Sequence, residues 1–94
     1  MDRLRELEVF TQIASAASMA EAGRQLNLSP PAVTRILAGL EDRLGVRLAQ
    51  RTTRSLQLTA AGERFRAAAG RLLADMDAAE REAAGTGIVP MGRV

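Results

Sequence analysis

Residues 29–45 read Ser-Pro-Pro-Ala-Val-Thr-Arg-Ile-Leu-Ala-Gly-Leu-Glu-Asp-Arg-Leu-Gly, a helix with both of its ends written into it. Ser29 offers a capping hydroxyl, Pro30 takes the first helical position, where a missing N–H is harmless, and Gly45 supplies the left-handed stop. At 100° per residue, Val33, Ile36, Leu37, Leu40 and Leu44 gather within an arc of about 100°, a stripe that faces a core. Opposite it lie Pro31, Arg35, Ala38 and Asp42, with Thr34 and Gly39 on the flanks. Such a face suits a major groove about 12 Å wide: small residues let the backbone come close, an arginine pairs with guanine, and a threonine methyl meets thymine. Any surface helix has a polar side, so the neighbouring segments must decide.

Upstream, Ser18-Met19-Ala20-Glu21 has the pattern of a capping box and opens a short helix to about residue 26. Asn27 tolerates the left-handed conformation that ends it, so a turn of about three residues joins this helix to the next, the connection length of a helix-turn-helix. Before that, Leu4, Leu7, Phe10, Ile13, Ala14 and Ala17 recur at three- and four-residue intervals, which predicts a first helix over about 3–17 with Asp2 as its cap.

Downstream of Gly45 the text changes to short alternating stretches, 46–50 and 55–58, separated by Arg51-Thr52-Thr53-Arg54. This reads as a two-stranded wing with a basic tip. Two positive charges with no negative one gain nothing structural from their sign, so Arg51 and Arg54 are read as gripping phosphate or entering a narrow minor groove. Thr59 then caps a fourth helix to about residue 84, roughly 38 Å long at 1.5 Å per residue. Along it, Phe65, Ala69, Leu72, Met76, Ala79 and Ala83 step by four and three, a heptad seam. A rod of that length overhangs a domain of about 26 Å, which predicts that the seam pairs with a second copy.

Composition bounds the chemistry. The chain has 94 residues, 47% hydrophobic and 26% charged, enough for one core and too few for two. It holds no Cys and no His, which removes disulfides, thiol nucleophiles, imidazole acids and bases and the usual zinc or haem ligands; no metal or other cofactor is expected. Ser15, Ser18, Ser29 and Ser55 have no histidine to activate them, and Glu41-Asp42 splay apart on their helix, so no enzyme is expected. The apolar runs are far too short for a membrane span, and Met1-Asp2-Arg3 is not the opening of a signal peptide; a cytoplasmic chain that binds no membrane is expected. The net charge is only +2, and all thirteen basic residues are Arg. Its distribution says more: six arginines between Arg24 and Arg54 face only Glu41 and Asp42, whereas residues 67–84 are acidic. An anionic partner at the middle of the chain follows.

Taken together, Ser29-Pro30-Pro31-Ala32-Val33-Thr34-Arg35, then Leu40-Glu41, Leu44-Gly45, Leu48, Arg51-Thr52 and Leu58-Thr59-Ala60-Ala61-Gly62, strongly resemble the N-terminal DNA-binding domain of LysR-type transcriptional regulators over about residues 3–84. The resemblance implies a recognition helix reading an inverted-repeat operator in double-stranded DNA and a wing on the minor groove. It also implies a homodimer through residues 59–84, or a tetramer in a full-length regulator. Carried over, the DNA-facing positions are Ser18, Ser29, Pro30, Pro31, Thr34 and Arg35, with Arg51 and Arg54 at the wing. Three positions depart from the family pattern: Pro30 for a common Gln, Ala49 for a usual Phe, and Gly23 for the second residue of a common Ala-Ala pair, which weakens that helix by up to about 1 kcal/mol. Members carry a large effector-binding domain after the long helix, and residues 91–94 look like the lead-in to it, so a small-molecule effector is expected to act only through that further domain.

The expected fold is therefore mainly α: a winged helix-turn-helix of three helices and a two-stranded wing over 1–58, a dimerisation helix over 59–84, and a hinge over 85–94. A second reading keeps the fold and makes it a protein-interaction module that dimerises through the heptad helix, since fold alone does not fix function.

Overall fold

Each of the four helices among the described residues starts at a side-chain oxygen that takes up an otherwise unpaired amide. In the computed structural model, which describes residues 2–52 and 55–85, Asp2 accepts from the Arg5 N–H (2.7 Å), Ser18 from Glu21 (3.1 Å), Ser29 from Ala32 (3.3 Å) and Thr59 from Gly62 (3.0 Å). The helices they open are α1 (Arg3–Ser15), α2 (Met19–Leu26), α3 (Pro30–Leu44) and α4 (Ala60–Ala84). Between α3 and α4 lies an antiparallel hairpin, β1 (Ala49–Arg51) and β2 (Leu56–Leu58), registered Ala49 to Leu58 and Arg51 to Leu56. The molecule is a winged helix-turn-helix drawn out to 51 × 25 × 21 Å by α4. Among the described residues, no helix is long and apolar enough to cross a membrane.

The ends of the elements follow from local chemistry. Asn27, at φ 61° and ψ 43°, closes α2, and Gly45, at φ 74°, closes α3. Helix α1 stops two residues earlier than its periodicity predicts, because Ala16 turns extended to free Ser18 for its capping role. That break changes the phase: Ala16 is buried, and Ala17, expected on the core face, is exposed.

The core consists of Val9, Phe10, Ile13, Ala16, Ala22, Val33, Leu37, Leu40, Leu48 and Ala49, with the Phe65 ring tilted against Phe10 at 5.2 Å between centroids. Helix α1 is its centre and touches α2, α3, α4 and β2, so its buried arc is wider than one stripe and takes in Val9. Two expectations for α3 need correction. Leu44 lies in the last turn, past the end of the core, and stays 39% exposed, while Glu41 takes a buried place at 9%.

The wing is shorter than the alternating pattern suggests. The amides of Val46, Leu48 and Ala49 go to α3: the Val46 N–H reaches the Glu41 carbonyl (3.2 Å), and those of Leu48 and Ala49 reach the Glu41 carboxylate (2.8 and 3.2 Å). The carbonyls of Arg47 and Leu48 turn to the start of α4, where Thr59 donates its N–H to Leu48 (3.0 Å) and its hydroxyl to Arg47 (2.7 Å).

Gly23 also reads differently in three dimensions. A Cβ on it would lie 2.6 Å from the carbonyl oxygen of Leu28, and its own carbonyl accepts the Leu28 N–H at 2.8 Å. The missing methyl is what lets the turn fold back on α2, so its cost in helix propensity is offset by the tight turn it permits.

Candidate nucleic-acid interface

Because Val33, Leu37 and Leu40 are pulled inward, the opposite side of α3 is turned out: Pro31, Thr34 and Arg35 are exposed and Ala38 is half-buried. Pro30 and Pro31 form its rigid first turn, and Ser29 caps it at the exposed edge of the turn. The half-buried Ser18 hydroxyl caps α2, and its O–H hydrogen remains to be donated. Only the hydroxyl half of the expected capping box forms here; the Glu21 carboxylate takes Arg24 (2.5 Å) and Gln25 (3.1 Å) instead. The Arg24 guanidinium, helped by Gln25, holds the Glu21 carboxyl below the usual carboxylate range.

Charge on this side is sparser than the sequence suggests. Of the arginines in the basic stretch, Arg24 pairs with Glu21, Arg43 reaches Glu6 on α1 (2.5 Å), and Arg51 lies 3.5 Å from Glu41. Arg54 falls outside the described residues. Arg35 and Arg47 are left, both exposed, with guanidiniums that make no ion pair or hydrogen bond to any described residue.

Arg47 is the residue that sequence reasoning passed over. It lines an open groove with Ala38, Asp42 and Val46, between α3 and the wing. Its signal was present as one member of the basic stretch, but its place beside α3 depends on how residues 46–48 fold back on Glu41.

Arg51 has partners within the fold. It sits at the end of β1 with its side chain only 19% exposed, paired with Glu41 and donating to the Ala49 carbonyl (3.4 Å). Its charge therefore has a structural use, contrary to the premise that a basic tip gains nothing from its sign.

The heptad seam on α4 divides into two parts. Phe65 packs on Phe10, and Ala69 is fully buried against the chain's own core, so Ala69 has no surface to offer a second subunit. The physical reason is that α4 runs along α1 through this stretch, with Arg66 reaching Ser15 (3.4 Å). Beyond it, Leu72 (55% exposed), Met76 (39%), Ala79 and Ala83 face outward.

Residues 4–63 match the family model described as "Bacterial regulatory helix-turn-helix protein, lysR family". The HTH-type transcriptional regulator CrgA of Neisseria meningitidis is 42% identical over 87 residues, 93% of this chain; the chain spans 29% of that relative's length. Among solved structures, the fold is similar to that in a CbnR DNA-binding domain–DNA complex, with a TM-score of 0.80 at 37% identity, covering 88% of this chain and 94% of that one. It is also similar to a BenM DNA-binding domain in complex with benA site 1 DNA, with a TM-score of 0.79 at 29% identity over 88% of this chain and 95% of that one.

Proposed function

The chain belongs to the lysR family of bacterial regulatory helix-turn-helix proteins, and from that premise we propose that it is the sequence-specific DNA-binding module of a transcriptional regulator. Helix α3 enters the major groove with Pro30, Pro31, Thr34 and Arg35 toward the bases and backbone, and Ser18 and Ser29 meet phosphates at its flank. The wing, with Arg54, lies over the adjacent backbone and minor groove, and Arg47 at the edge of α3 lies over the backbone. Two copies join through the outer part of α4 at Leu72, Met76, Ala79 and Ala83, which gives the two-fold arrangement that an inverted-repeat operator requires. Residues 1–58 act as the DNA-binding unit, 59–84 as the dimerising helix and 85–94 as a hinge. The role is binding rather than catalysis, it is carried out in the cytoplasm, and recognition of any small-molecule effector lies outside residues 1–84.

The observation that carries this reading is the outer face of α3, where exposed Thr34 and Arg35 stand beside the small Ala38 and Arg35 has no partner among the described residues. An arginine held out in that way is available to a base edge or phosphate at no internal cost. A gel-shift with randomised duplex, followed by sequencing of the retained fraction, tests it. Enrichment of an inverted repeat is the expected outcome; absence of retention at low salt would instead favour a protein-interaction module.

A further inference from the structure

Glu41 stands where α3, the wing and α4 meet, and only 9% of it is exposed. One carboxylate oxygen accepts the N–H groups of Leu48 (2.8 Å) and Ala49 (3.2 Å); the other lies 3.5 Å from an Arg51 guanidinium nitrogen. Its carbonyl accepts from Gly45 (2.8 Å) and Val46 (3.2 Å), closing α3. On the far side of the segment that leads into β1, the Leu48 carbonyl accepts from Thr59 and lies so close over Gly62 that a Cβ there would come within 1.9 Å. One side chain thus joins the end of the exposed helix to the start of β1, and through Leu48 to the first turn of α4.

A carboxylate at this depth carries a desolvation cost that only its partners offset, and two amides and a guanidinium are the partners present. Arg51 is the counter-charge. Drawn back to Glu41 and to the Ala49 carbonyl, its guanidinium is turned toward α3.

We propose that Glu41 is a positioning residue that sets the pose of the wing against α3, and that Arg51 is its clamp and not a phosphate contact. The proposal rests on the DNA-binding reading above. If Arg51 held a phosphate, freeing it from Glu41 would strengthen binding; if it is a clamp, losing either partner misplaces the wing as a whole. Because the two act as one unit, their losses do not add.

The test measures affinity of the 94-residue chain for its selected duplex, with a hydroxyl-radical cleavage map of the bound DNA, for wild type, Glu41→Gln, Arg51→Met and the double variant. Each single change is expected to weaken binding about tenfold, the scale of one lost DNA contact, and the double variant should bind no more weakly than the weaker single. Protection should vanish at every position under the wing and persist where α3 sits, a split that general destabilisation cannot produce. Should Glu41→Gln fail to fold by circular dichroism, the Arg51→Met map decides alone: loss across the whole wing footprint supports the clamp, and loss at one phosphate overturns it. Unchanged or tighter binding by Glu41→Gln, with Arg51→Met weaker and the effects additive, also overturns it. A wild-type chain that binds no duplex at low salt removes the DNA reading and the proposal together, whereas binding that Glu41→Gln leaves intact removes the proposal alone.

Discussion

Replacing Leu72 and Met76 together by alanine is expected to weaken the proposed dimer more than it destabilises the protomer, because both side chains keep a large exposed fraction. Leu72 is 55% exposed and Met76 39%. Burying a whole side chain of this size stabilises by about 1.5–3 kcal/mol, so the exposed fractions leave about 1 kcal/mol each to be gained at an interface. A two-fold interface counts every substitution twice, which brings the double variant to about 3–4 kcal/mol, or two to three decades in the dissociation constant. Alanine keeps the helix propensity of α4, so the protomer loses only what these side chains already bury within it, about 1 kcal/mol each, and the thermal stability of dilute protein should fall by that smaller amount. Sedimentation equilibrium over a range of concentrations measures the dissociation constant directly. A double variant that dimerises as tightly as wild type would show that the outer seam of α4 is not the contact, and a wild-type chain that stays monomeric throughout would refute the seam altogether.

The two glycines that bracket the packed part of α4 should respond in opposite ways to alanine. At Gly62 a Cβ would sit 1.9 Å from the Leu48 carbonyl oxygen, a backbone atom that no rotamer change can move, so Gly62→Ala should cost at least about 1–3 kcal/mol. At Gly70 nothing lies within 4 Å, and Gly70→Ala should stabilise by about 0.5–1 kcal/mol; thermal unfolding in the reverse order would contradict this packing of α4 under the wing. A pH effect follows from Glu21, whose folded-state pKa lies below the ordinary 4.5 because of Arg24 and then Gln25. The unfolded chain takes up that proton first on acidification, so the contribution is present above about pH 4.5 and is lost as pH falls through the lower folded value. Glu21→Gln should flatten that part of the stability–pH curve, and an unaltered curve would show that the Arg24 pair contributes nothing in solution.

The elements legible in the sequence are those whose signals are local. Asp2, Ser18, Ser29 and Thr59 each cap the helix expected of them, and Asn27 and Gly45 end α2 and α3 at their own positions, because a cap involves residues only three or four apart. Features that depend on a distant segment were not legible. Glu41 looks like one half of an exposed acidic pair until residues 48–51 fold over it. The 4-3 spacing on α4 is identical for a helix packing on its own domain and for one packing on a partner, so the burial of Ala69 by α1 could not be told from the exposure of Met76. Charge counting within residues 24–54 missed Glu6 and Glu21, which lie outside that window and pair with Arg43 and Arg24. Gly23 reads as a propensity loss on a helix in isolation and as a requirement once the turn at Leu28 is placed over it.

The central claim is that the outer face of α3 reads sequence, and repeating the duplex selection with Arg35→Ala tests it most directly. Losing an arginine that contacts a base edge should weaken binding to the wild-type site by about 1–3 kcal/mol and leave one position of each half-site degenerate in the newly selected pool. Selection of the same inverted repeat, at undiminished affinity and with every position still specified, would show that this face of α3 does not read the DNA.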